Sequence, residues 1–124
     1  MRASVKFAGL AIVLAAAPAR AAEGAVGTWL RDSGSSRVAI APCGAALCGR
    51  VVWLRDKDGP SHVGEQIFFD MKPAGASSWT GRAFNPEDGK TYSGKMTLSG
   101  DELVTSGCVL GGLICKSSSW SRSK

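Results

Sequence analysis

Along most of the chain the apolar side chains recur at every second position. In Arg37-Val38-Ala39-Ile40-Ala41 the large apolar residues alternate with small or charged ones. The same period runs through Leu47, Val51 and Trp53, through Ile67, Phe69 and Met71, and through Tyr92, Gly94, Met96 and Leu98. A period of two, sustained over a short segment and broken by Gly, Pro, Asn and Asp, marks a half-buried strand. The pattern predicts strands over 26–32, 36–42, 47–55, 65–72, 78–84, 90–98, 102–109 and 113–122. After the first twenty residues no segment shows a helical stripe of three turns. Eight short strands joined by short turns predict an all-β domain. An eight-stranded antiparallel up-and-down barrel fits best, because closure leaves no sheet edge exposed. A two-sheet sandwich is the competing arrangement.

The first residues follow a different rule. Arg2 and Lys6 precede an unbroken apolar or small run from Phe7 to Ala17, and Ala19-Arg20-Ala21 follows. A positive start, a short apolar run and a small-x-small site are the parts of a cleavable secretory signal. The run is well short of the ~20 residues that span a bilayer. Residues 1–21 are therefore expected to leave as a signal peptide, with cleavage near Ala21, and 22–124 to form a single domain, periplasmic or secreted. Nothing after the leader is long enough to insert stably in a membrane. Of the 15 Lys and Arg residues, Arg2, Lys6 and Arg20 go with the leader. Twelve then face 10 acidic residues, a net charge of +2. No basic cluster remains to track a phosphate backbone, which argues against a nucleic-acid partner.

All four cysteines lie in the exported part, where a disulfide persists. Of the three possible pairings, the spacing favours the local ones, Cys43–Cys48 and Cys108–Cys115. Gly111-Gly112 makes a natural two-residue hairpin loop. That register sets Cys108 directly opposite Cys115, within disulfide reach. Cys43 and Cys48 are expected to close a four-residue loop, with Val38 beside Trp53 and Ile40 beside Val51. Asn85-Pro86-Glu87-Asp88-Gly89 has the composition of a further turn.

Candidate chemistry is sparse. The C-x₄-C spacing fits the edge of the zinc range but C-x₆-C does not, and an oxidising compartment disfavours zinc; no C-x-x-C supports a thiol oxidoreductase. His62 is the sole histidine and sits in a Gly/Pro-flanked loop, which suits a solvated surface group better than a triad member. Glu87 and Asp88 are explained by turn composition, and Asp56 and Asp58 begin a calcium loop without completing one. No catalytic residue, metal or cofactor is assigned, and an enzyme is the least favoured class. The inward set matters more. Trp29, Trp53, Phe69, Met71, Trp79, Tyr92, Met96 and Trp120 share one face if the strands alternate as drawn. An eight-stranded barrel is just wide enough to be packed solid or to hold one small ligand.

The chain also resembles the bacterial family known as domain of unknown function 2147. The resemblance is carried by Gly27-Thr28-Trp29, Cys43-Gly44, Leu47-Cys48-Gly49-Arg50-Val51-Val52-Trp53-Leu54, Asn85-Pro86-Glu87-Asp88-Gly89-Lys90-Thr91-Tyr92, Gly107-Cys108, Leu113-Ile114-Cys115 and Trp120-Ser121-Arg122. It implies a lipocalin-like barrel. The loop from Arg55 to Gly64 is shorter than in many relatives. As in lipocalins, Gly-x-Trp at Trp29 and an arginine at Arg122 imply a guanidinium across an indole, closing one end of the barrel.

Two functions follow. In the first, the barrel binds a small apolar or amphipathic ligand, with Trp53, Phe69, Met71, Trp79, Tyr92 and Met96 as pocket walls. In the second, it is a packed structural or interaction module of the cell envelope. It then acts through its outer surface, where Arg50, Arg82 and Lys95 offer an exposed basic set.

Overall fold

The computed structural model describes residues 24–123. The expected signal peptide and its cleavage site lie outside these residues. Eight strands follow one another in the predicted order: β1 (Gly27–Arg31), β2 (Ser36–Cys43), β3 (Ala46–Leu54), β4 (Gln66–Pro73), β5 (Ser78–Asn85), β6 (Lys90–Ser99), β7 (Glu102–Val109) and β8 (Ile114–Arg122). Each pairs antiparallel with the next, and β1 pairs with β8, so the sheet closes into a barrel. Closure decides the matter against a sandwich. Up-and-down order also sorts the connections. The described residues before β1 and the turns β2–β3, β4–β5 and β6–β7 lie at one end, the lower end. The turns β1–β2, β3–β4, β5–β6 and β7–β8 lie at the upper end.

The inner face is a single apolar cluster of Trp29, Val38, Ile40, Leu47, Phe68, Met71, Trp79, Met96, Leu103 and Trp120, joined by Ala25 from the segment before β1. Phe68 meets Trp120 edge to face, with ring centroids 6.4 Å apart, the geometry that aromatic quadrupoles favour. Trp29 donates its indole N–H to the Ala25 carbonyl at 2.9 Å, and Trp120 donates to Thr105 Oγ1 at 2.9 Å. These two buried indoles are thereby satisfied, and the same two bonds fix the segment before β1 and β8 against the core.

Three details of register depart from simple alternation. The β2–β3 loop is two residues, Gly44-Ala45, with Cys43 opposite Ala46. Gly44 has φ +67°, the left-handed geometry that a tight hairpin demands at its first central position. The expected four-residue loop is thus corrected, and Cys43 reaches Cys48 diagonally. The shorter loop sets Ile40 opposite Gly49 and Val38 opposite Val51, and a bulge at Val52, which is left unpaired, then sets Trp53 opposite Arg37. The expected Val38–Trp53 and Ile40–Val51 pairs do not form. On β4 a second bulge sits at Asp70, a non-glycine at φ +51°. It spaces the buried residues Phe68 and Met71 three apart and leaves Phe69 off the core cluster. The bulge presses its backbone onto β5: a Cβ at Gly81 would lie 2.4 Å from the Phe69 carbonyl oxygen. Only glycine fits there.

The β7–β8 register is as expected, with Cys108 opposite Cys115 and Glu102 opposite Ser121. Its loop is longer than two residues, running from Leu110 to Leu113 through a single 3-10 turn. Cys43–Cys48 and Cys108–Cys115 are both bonded, and no cysteine is free.

Candidate functional site

Three places can be built from these elements: the barrel axis, the lower end and the outer face. On the axis, Met71, Trp79 and Met96 from the expected pocket set sit in the core, each 0–1% exposed. They pack against Trp29 and Trp120 in one continuous cluster. The other three expected walls lie elsewhere. Trp53 is half-buried outside the cluster, with the Arg37 guanidinium 4.6 Å from its ring centroid. Phe69 is half-buried beneath Arg82 at 5.2 Å. Tyr92 is half-buried near the upper end, where its hydroxyl donates to Asp88 Oδ2.

The arginine–aromatic pairs follow one rule. Arg37 and Trp53, Arg82 and Phe69, and Arg122 and Trp29 are all direct cross-strand partners. Partners across an antiparallel ladder share a face, so a guanidinium lies naturally over the ring opposite it. Arg122 does most. It stands 4.4 Å over Trp29, donates to the carbonyls of Gly24 and Val26, and donates to Asp101 at 3.2 Å. It ties the first described residues to the last strand and covers the lower end.

Beside that cover, a recess of about 110 Å³ opens between Val26, the β2–β3 turn (Pro42, Gly44 to Leu47), Met71, Pro73 and Trp79. The Trp79 indole N–H is buried and meets no acceptor among the described residues. A buried donor without an acceptor costs about 1–3 kcal/mol.

On the outer face a wider hollow of about 600 Å³ runs across β4 to β7. Gly81 and Gly94 form its floor, and Lys72, Lys95, Thr80 and Ser93 its polar walls. Cys108, Gly111 and Gly112 close the side toward the β7–β8 hairpin. Its carboxylate, Asp70, is paired with Arg82 at 2.9 Å. Of the basic set, Lys95 lines this hollow and Arg82 stands at its edge. Arg50 lies apart and donates to the Gly64 carbonyl and to Gln66 Oε1.

At the upper end one hydrogen-bonded pair has shifted pKa values. The Tyr92 hydrogen bond, helped by the Lys90 N–H, holds the Asp88 carboxyl below its ordinary value. The same bond holds the Tyr92 phenol above its own. One phenol and one carboxylate on an exposed turn do not form an acid–base machine. His62 is exposed, and its backbone N–H donates to the Glu65 carboxylate at 3.3 Å. Among the described residues no group of three His, Cys, Asp or Glu side chains is placed to hold a metal.

Comparison with known proteins bears on the whole barrel. A family model described as "Uncharacterized protein conserved in bacteria (DUF2147)" matches residues 27–122. The structure of protein HP1028 from Helicobacter pylori, described as belonging to the lipocalin family, superposes with a TM-score of 0.62. The match is 19% identical and covers 80% of this chain and 82% of that one, a likeness of fold. No curated protein matches the chain.

Proposed function

From the premise that this chain belongs to the bacterial DUF2147 family, we propose an exported lipocalin-like barrel of the cell envelope that acts through its outer surface. The observation that carries this reading is the filled axis. Trp29, Trp79, Met71 and Met96 are each at most 1% exposed where a carrier of the same fold would keep space. The two disulfides suit an oxidising compartment. The test is native mass spectrometry of protein released gently from the periplasm, set against its denatured mass. A bare polypeptide mass is expected, and a discrete adduct lost on denaturation would overturn the reading.

One observation favours a second function. The unpaired indole N–H of Trp79 and the apolar recess that Trp79 shares with Met71 suit the polar end of a small amphipathic molecule. In that case an adduct appears in the native mass, and Trp79→Phe, which removes the donor and keeps an aromatic ring, weakens its retention.

A further inference from the structure

The β7–β8 hairpin turns its apolar side chains outward. Leu113 is 83% exposed, Leu110 68%, Ile114 57% and Val109 39%. Val52 on β3 and Val63 in the β3–β4 loop, the other large apolar residues in this condition among those described, stand singly. Scattered apolar residues on a surface are ordinary; four at one hairpin tip are not. Their setting is held in place. Leu110 sits at φ +55°, a region that bulky side chains rarely enter. The Cys108–Cys115 bond clamps the strands at the base of the tip. The hairpin also forms one wall of the outer hollow, whose free charges are Lys72 and Lys95, since Asp70 is engaged by Arg82. Lys116 follows Cys115 on β8, and the tip itself carries no acid. The carboxylates of the neighbouring β5–β6 turn, Glu87 and Asp88, are not part of that hollow.

An exposed apolar prong beside a hollow of net positive charge matches a lipid–water interface. Leucines enter the boundary of the acyl chains while lysines meet anionic headgroups. We propose that the β7–β8 hairpin docks the protein onto the surface of an anionic phospholipid bilayer. The contact is a peripheral one made by the hairpin tip. The proposal rests on the reading that the outer surface is the working part of the molecule.

Protein recovered from the periplasm is to be sedimented with vesicles of phosphatidylglycerol and phosphatidylcholine in equal parts, and with vesicles of phosphatidylcholine alone. Binding to the anionic vesicles is expected, weakening as salt is raised. The double change Leu110→Ser/Leu113→Ser should lower that affinity at least tenfold. Lys72→Gln/Lys95→Gln should lower it by roughly tenfold at low salt. Both variants are to keep the near-ultraviolet circular dichroism of the parent. Failure to bind anionic vesicles, equal binding to both vesicle types, or unchanged binding by the leucine variant would each overturn the proposal. So would a dimer of the parent that the leucine variant dissociates, because the tip would then be covered by a second copy. The mass measurement separates the two readings. A ligand adduct defeats the outer-surface function whatever the vesicles show, whereas a bare mass without vesicle binding defeats the docking alone.

Discussion

Two hairpins of this barrel carry a disulfide, and they treat their apolar residues in opposite ways. At the lower end, the β2–β3 hairpin turns in two residues and tucks Ala46 and Leu47 inward, 6% and 5% exposed. Leu47 joins the cluster of Met71 and Trp79. At the upper end, the β7–β8 hairpin turns in four residues and sends Leu110 and Leu113 into solvent. Small rings of six to eight residues stabilise by similar amounts through chain entropy. What differs is what each ring holds. The lower one reinforces packing that burial already favours, whereas the upper one keeps a shape that burial does not favour. A crosslink thus has two uses: adding stability to a core, or pre-organising a surface.

The sharpest way to break this comparison is to make the same change at both ends. Leu47→Ala should cost about 2–5 kcal/mol in urea unfolding, the range for deleting a buried leucine. Leu113→Ala should stay within about 0.5 kcal/mol, as surface changes do. Equal losses would erase the distinction. Next in size, replacing either cysteine pair by alanine should cost roughly 2–2.5 kcal/mol. The upper pair should in addition release the amides of 109–114 to hydrogen exchange, whereas loss of the lower pair leaves the Leu47 amide protected by the core. Arg122→Ala tests the cover of the lower end. Losing the Trp29 contact and the bonds to Gly24 and Val26 should lower stability by about 2 kcal/mol. A melting temperature equal to the parent's would show that Arg122 closes nothing.

The smallest effect belongs to the upper end. Tyr92 is the single tyrosine, so phenolate absorbance reports it alone. Its midpoint should lie above the ordinary value of 10 and fall back in Asp88→Asn. The pair's contribution to stability is bounded on both sides. For Asp88 it is present above the ordinary carboxylate value and lost as pH falls through the lowered one. For Tyr92 it is present below pH 10 and lost as pH rises through the raised one.

Strand positions were legible in the sequence because alternation and turn residues agree, and each observed strand lies within two residues of its expected span. The Cys108–Cys115 register followed from a glycine pair whose conformational demand is strong. The candidate walls were less legible, because a bulge resets parity without a residue signature of its own. Phe68-Phe69 offers the same side chain to either face, and the left-handed turn at Asp70, which decides between them, involves a residue that any loop could carry. Trp53 was lost to the same effect, one extra residue at Val52. The outward leucines did leave a trace. Leu110 and Leu113 flank Gly111-Gly112, and a hairpin tip is ordinarily polar. Parity directs attention to strands, so a signal lying in a turn goes unread.

The seam between β1 and β8 bears on how the chain folds. Arg122 bonds across 96 and 98 residues to Val26 and Gly24, and Trp29 has Arg122 as its ladder partner. Contacts of that separation carry the largest loop-closure entropy and form late. Until the final strand arrives, β1 and β7 are both open edges, the state in which a β-protein pairs with its neighbours. The moment of greatest hazard in the life of this protein is therefore the interval before β8 joins β1, and a chain that lacks the eighth strand never leaves it.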